Sequence, residues 1–461
     1  MTAPKLSLPG NDLGLFTDLY ELTMSQAFLR QGMSATATFS LFTRTYPPNR
    51  GYFVSAGLDD VLEYLSNLNF SERAIDYLRA TGIFSDDFLE YLSGVRFTGS
   101  VRAIPEGRVY FTDEPAVEIT APLIEAQLAE TFIINQVNLQ SMLATKAARC
   151  VWAAKGRGIA DFASRRTQGT DAALKMARAS YIAGFSSTSN VLAASLYGMP
   201  PAGTMAHSFI SSFPSELAAF RAYAASFPDR TILLLDTYDT IAGTWNAVQV
   251  AKEMEAGGTR LMAVRLDSGD FDALSRKVRK ILNESGFDDV KILASGGLDE
   301  YELETLVNDG APIDLFGVGT KAGVSADAPW SDMAYKLVCF DDRPVMKLSP
   351  DKVSLPGAKQ VFRTKDAAGM FAKDIIALHD EELPGGLPLL EEVMRNGKRT
   401  GQPVTLEEVR KRFQEDFSSL DGRFKVLNNP PRFPVSISGK LERLTSEVRE
   451  EALGVNVSDS D

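Results

Sequence analysis

Four stretches decide the reading: residues 231–240 (TILLLDTYDT), 261–270 (LMAVRLDSGD), 290–300 (VKILASGGLDE) and 313–320 (IDLFGVGT). Each is an apolar run of buried-strand length that ends abruptly in polar or glycine residues. Between them lie helical patterns. Phe271, Leu274, Val278, Ile281 and Leu282 share one face of such a helix, with charges on the other. Strands joined by crossovers of this length run parallel. The same beat reaches back to Gly158 through the polar ends Asp161-Phe162 with Arg165-Arg166, Ser186-Ser187, and Gly203-Thr204 with His207. The expected class is therefore α/β: an irregular βα (TIM-like) barrel over residues 126–345, with its chemistry at the C-terminal ends of the strands.

Outward from the barrel the beat is lost. Residues 1–125 read as an α+β domain, with helices near 16–31 and 71–80, a strand near 36–42, and Ser85 placed to cap a helix. Beyond residue 345 proline and lysine become frequent, and LPGGLP at 383–388 marks a connector. Residues 346–445 are expected to form a lobe packing with the N-terminal domain, with 347–361 pairing to it, so that N- and C-terminal segments build the second α+β domain. The end, 446–461, reads as a flexible acidic tail.

A net charge of -12 and a pI near 5.0 argue against broad nucleic-acid or anionic-membrane binding, so any phosphate site must be local. Cys150 and Cys339 are too few for a disulfide framework and lack metal-site spacing, which points to a reducing compartment, the cytoplasm. No secretory start and no membrane-length apolar span is evident.

Chemistry gathers at the strand ends. His207, in GTMAHS, sits among small residues that leave room for a ligand. It suits phosphoryl acceptance or acid/base work, against the plain alternative of a loop histidine bonded to backbone. His379 has no such setting and reads as structural. RLDSGD brings Arg265 and the carboxylates of Asp267 and Asp270 to one strand end, for a flat ring or an oxyanion, or simply as an ion pair with a helix cap. Ser295-Gly296-Gly297 and Gly319-Thr320 are adjacent ends suited to cradle phosphate on bare amides. Arg165 and Arg166 offer charge to a diphosphate, or are merely solvated. Asp236 and Asp239 stand near a magnesium or ribose, or in hydrogen bonding at the barrel mouth.

Six segments in order carry a resemblance: TDLYELTM at 17–24, FASRRTQG at 162–169, GTMAHS at 203–208, RLDSGD at 265–270, SGGL at 295–298 and FGVGT at 316–320. Together they resemble the nicotinate phosphoribosyltransferases, a type II phosphoribosyltransferase family. The resemblance implies that nicotinate and 5-phosphoribosyl 1-diphosphate give nicotinate mononucleotide and diphosphate, with Mg2+ and with ATP hydrolysed through transient phosphorylation of His207. It places Tyr20, Thr204 and Arg265 on nicotinate and Phe162 against its ring. His207 and Asp267 become the catalytic pair. Arg165, Arg166, Ser295, Gly296, Gly297, Gly319 and Thr320 take the phosphates, and Tyr20 reaches a neighbouring subunit, hence a homodimer with shared sites. Where nicotinamide enzymes carry an amide-accepting aspartate, this chain aligns Ser189, which can donate to a carboxylate and favours the acid. The alternatives are a nicotinamide or quinolinate phosphoribosyltransferase, or a non-catalytic phosphosugar-binding barrel.

Overall fold

The apolar runs become the strands of one parallel sheet in the computed structural model, which describes residues 12–349 and 354–454. The strands are β1 Gly158–Asp161, β2 Ser187–Thr188, β3 Ile232–Leu234, β4 Ala263–Leu266, β5 Lys291–Ser295 and β6 Leu315–Val318. Their order is β2-β1-β6-β5-β4-β3, every pairing parallel. They belong to a compact unit, residues 145–327. Leu233, Leu234, Val264, Leu266, Ile292, Ala294, Phe316 and Val318 are buried in it, as an alternation-free run predicts.

The crossover helices begin where the sequence provides caps. Side chains of Asn190, Asp239, Asp270 and Asp299 accept from first-turn amides of the helices Val191–Tyr197, Thr240–Ala256, Phe271–Glu284 and Glu300–Asn308. Gly286 and Gly310 follow the last two in left-handed backbone, closing them.

A closed barrel does not form among the described residues. Beyond β2 the ladder continues only as one parallel bridge, Thr188 to Pro201, and nothing pairs that segment with β3. The physical reason is local: Pro200 and Pro201 lack amide donors and fix their own backbone, so this segment cannot propagate a ladder. The expected TIM-like closure is thus corrected to an open six-stranded parallel sheet with a seam between residue 201 and β3.

The second unit combines residues 4–144 with 328–461. Its seven-stranded antiparallel sheet runs, edge to edge, Arg343–Pro344, Met333–Phe340, Thr36–Thr43, Val117–Pro122, Ser100–Ala103, Glu391–Arg395, Lys398–Arg399. Three adjacent N-terminal strands form the middle of this sheet, with C-terminal strands on either side. The pairing partners differ from those expected: Met333–Phe340 and Glu391–Arg395 flank the N-terminal strands, whereas Lys359–Lys365 joins a separate four-stranded sheet with Phe371–Leu378. Residues 350–353 of the expected 347–361 pairing lie outside the described residues.

Two smaller corrections have simple causes. Ser85 is the N-cap of Asp86–Gly94 but gives no capping bond, because its hydroxyl and amide both engage Gln26. The acidic end is helical through Leu453, capped by Ser438, because Leu441 and Val448 fall on one face and are buried. Residues 455–461 of the expected tail lie outside the described residues. Cys150 and Cys339 are both free, and no described helix is long and apolar enough to cross a membrane.

Candidate active site

Arg265, on β4 between β3 and β5, organises the strand ends. Its guanidinium is nearly buried, with 11% of the side chain exposed. Nε donates to Ser295 Oγ at 2.8 Å, Nη1 to Thr204 Oγ1 at 2.9 Å and to the Met205 carbonyl at 3.0 Å, and Nη2 to Asp267 Oδ1 at 2.7 Å. Where the backbone ladder stops, this side chain ties β4 and β5 to the 204–205 segment. Its carbon lies 5.8 Å from the centre of the Phe162 ring, a cation–π distance.

Asp267 is the anionic partner. Burial raises its carboxyl, but hydrogen bonds from Arg265 and Ser295 outweigh that and hold it below the ordinary value. Its Oδ2 lies 3.7 Å from His207 Nε2, while His207 Nδ1 meets Thr237 Oγ1 at 3.1 Å. Asp236 Oδ2 accepts from the Asp267 amide at 3.0 Å and from Ser268 Oγ at 2.6 Å. Asp236 Oδ1 is buried with no hydrogen-bond partner. A histidine held at Nδ1 thus presents Nε2 toward a carboxylate, half exposed at the strand ends.

The glycines are needed for space. A Cβ on Gly296, whose φ is +100°, would sit 2.0 Å from the Asp267 carbonyl oxygen. One on Gly317 would sit 2.5 Å from the Phe162 ring, and one on Gly319 3.1 Å from the Phe162 carbonyl. Asp161, fully buried, accepts from the Ala163 amide at 2.8 Å and Thr188 Oγ1 at 2.7 Å, and burial pushes its carboxyl up. Its own carbonyl accepts the Ser189 amide at 2.8 Å. Of Thr188, Ser189 and Asn190, the first side chain is committed to Asp161 and the third caps a helix. The Ser189 hydroxyl has no hydrogen bond among the described residues.

The family model described as "Nicotinate phosphoribosyltransferase (NAPRTase) family" matches residues 158–339, and the N- and C-terminal domain models of the same name match 15–138 and 387–445. The chain is 50% identical to nicotinate phosphoribosyltransferase pncB2 of Mycobacterium tuberculosis, covering 96% of each. The chain belongs to the nicotinate phosphoribosyltransferase family. It is 37% identical to the Bacillus subtilis nicotinate phosphoribosyltransferase, covering 96% of this chain and 98% of that one. The crystal structure of human nicotinic acid phosphoribosyltransferase superposes with a TM-score of 0.85 at 29% identity, over 94% of this chain and 99% of that one.

Measured against what the family resemblance led one to expect, the strand ends bring Phe162, Thr204, His207, Arg265, Asp267 and Ser295 into one bonded set. Asp270 is a helix cap, the plain alternative of the sequence reading, and Asp239 also caps a helix, a role not foreseen for it. Arg165 and Arg166 project from the short turn Ser164–Arg166, exposed and with no described ion-pair partner. Thr320 is exposed just beyond β6, and Gly297 has open space around its Cβ position. His379 is exposed, with its amide bonded to the Ala358 carbonyl. Tyr20 lies in the other unit, exposed on the helix Leu19–Arg30. Burial and the neighbouring carboxylates of Glu130 and Glu21 raise its phenol. Thr237 and Asp161 were given no role by the sequence reading. The available signals were Thr237's place directly after Asp236 and an acid closing a buried strand.

Proposed function

We propose that this chain transfers the phosphoribosyl group of 5-phosphoribosyl 1-diphosphate to nicotinate, releasing diphosphate, with ATP hydrolysis coupled through phosphorylation of His207. The observation that carries the reading is Arg265 held by four hydrogen bonds at the strand ends, 5.8 Å from the centre of the Phe162 ring. A flat aromatic carboxylate suits that setting. The free Ser189 hydroxyl favours the acid over the amide, since a donor stabilises a carboxylate.

In the transfer, the pyridine nitrogen forms a bond to the anomeric carbon as the bond to diphosphate breaks, and the electron pair leaves with the diphosphate. Positive charge grows on the ribose and negative charge on the leaving group. Fixed donors at the second place lower the barrier without reorganising. Arg165, Arg166 and the amides around Gly296, Gly297, Gly319 and Thr320 are this chain's contribution there, and the carboxylates of Asp236 and Asp267 face the ribose side. A ring held flat between Phe162 and Arg265 needs about 7 Å, twice a carbon contact distance. From 5.8 Å, the two planes must part by about 1 Å, or nicotinate stacks on one of them alone.

No three-ligand metal cluster exists among the described residues. Asp236, whose Oδ1 has no hydrogen-bond partner among the described residues, is the group of this chain that would hold a magnesium ion. Magnesium would neutralise charge on the leaving diphosphate. Thr237 occupies His207 Nδ1, so Nε2 is the nitrogen left to accept a phosphoryl group from ATP. Tyr20, exposed beside Leu19 and Met24, is assigned to a second copy's site in a homodimer. A reducing cytoplasm accommodates the two free thiols.

Chromatographic assay of nicotinate and nicotinamide with phosphoribosyl diphosphate and Mg2+, with and without ATP, tests this. ATP-stimulated nicotinate mononucleotide is expected, with label transferred from γ-labelled ATP to the wild type and not to His207→Asn. Product from nicotinamide alone would overturn the base assignment, and label on His207→Asn would overturn the phosphohistidine.

A further inference from the structure

The β5–β6 ladder ends at Ser295 and Gly317, so no described main-chain hydrogen bond joins the glycine turns that follow. Their spacing falls to side chains. Lys321, directly after Thr320, places Nζ 2.7 Å from Glu302 Oε1 and 3.5 Å from Asp299 Oδ2. Those two carboxylates are anchored. Asp299 Oδ1 accepts the Tyr301 amide at 3.0 Å, and Glu302 Oε2 accepts the Asp299 amide at 3.0 Å, in the capping box that starts the helix Glu300–Asn308 directly after Gly296-Gly297-Leu298.

We propose that Lys321 is a positioning residue for phosphate binding: it straps the turn after β6 to the turn after β5 and sets the separation of the two amide cradles. This rests on the reading of those turns as the phosphate site. A second, buried strap runs parallel to it. Lys146, wholly enclosed, lies 2.5 Å from Glu300 Oε2, 2.7 Å from Asp327 Oδ1 and 3.9 Å from Asp299 Oδ2, joining the same two loops deeper in the unit and sharing Asp299 with the outer strap. The outer strap brings no net attraction for phosphate, because Lys321 with Asp299 and Glu302 sums to one negative charge. Its contribution is geometric. A phosphate bound by amides from two turns is sensitive to displacements well below 1 Å.

The test uses the full chain and separately varies phosphoribosyl diphosphate and nicotinate in steady-state kinetics of Lys321→Met, Lys321→Arg, Glu302→Gln and the double variant Lys321→Met/Glu302→Gln. Glutamine keeps the capping box and loses the ion pair. The expected result is a roughly tenfold rise in the phosphoribosyl diphosphate KM for Lys321→Met and for Glu302→Gln, with kcat and the nicotinate KM within about twofold. The double variant should be no worse than either single, and Lys321→Arg should recover most of the loss. A normal phosphoribosyl diphosphate KM in Lys321→Met overturns the proposal. So does a harmless Glu302→Gln beside a defective Lys321→Met, which would mean that the lysine grips phosphate itself. Wild-type protein that does not bind phosphoribosyl diphosphate would instead remove the phosphate reading, and this proposal with it.

Discussion

Replacing Arg265 by lysine keeps the positive charge and removes the planar fork, so it separates geometry from charge at the seam. The guanidinium serves Ser295, Thr204, Met205 and Asp267 through three nitrogens pointing in different directions. An ammonium on a flexible stem cannot reach all four acceptors. With Asp267 retained as its partner, about two of the four bonds are lost at roughly 1 to 1.5 kcal/mol each. The sum, about 2 to 3 kcal/mol, is roughly a 30- to 150-fold fall in kcat/KM for nicotinate. Lysine also loses the flat face that opposes Phe162. The assay is initial-rate formation of nicotinate mononucleotide at saturating phosphoribosyl diphosphate, with melting curves to establish that the variant is folded. Arg265→Met, which leaves Asp267 unpaired as well, should be worse still. A folded Arg265→Lys within threefold of wild type would refute the argument, since charge alone would then suffice.

Other consequences follow from the same coordinates. Gly296→Ala forces a Cβ to 2.0 Å from the Asp267 carbonyl at φ +100°, whereas Gly297→Ala at φ +69° meets nothing. The first should melt several degrees below wild type and lose phosphoribosyl diphosphate affinity, and the second should cost only about 1 kcal/mol, so equal melting temperatures would contradict the packing account. Ser189→Asp should raise the nicotinate KM at least tenfold and shift preference toward nicotinamide, read by competing the two bases. Glu21 lies on the buried face of the helix that carries Tyr20, and burial raises its carboxyl from 4.5 to about 7 despite hydrogen bonds from Thr131 and Thr17. The folded protein therefore holds a proton that the unfolded chain releases, so this contribution to stability is full below 4.5 and is lost as pH rises to about 7. Glu21→Gln should flatten the melting-temperature profile across that window, and an unchanged slope would exclude Glu21 as its source.

The strands were legible because a buried parallel strand writes itself as an uninterrupted apolar run, and the same runs gave their polar ends. What failed to read was anything set by partners distant in sequence. Met333–Phe340 carries no mark that it pairs with Thr36–Thr43, since an antiparallel partner nearly three hundred residues away leaves no local pattern. Asp239 and Asp270 look like Asp236 and Asp267 on paper. Only the structure separates the acids that cap helices from those that face the seam. The site could be listed residue by residue but not assembled. Arg265 draws its acceptors from positions 61, 60, 30 and 2 residues away, and only the folded chain brings them to one strand end. A site assembled by one side chain reaching across several strand ends leaves no local pattern to read.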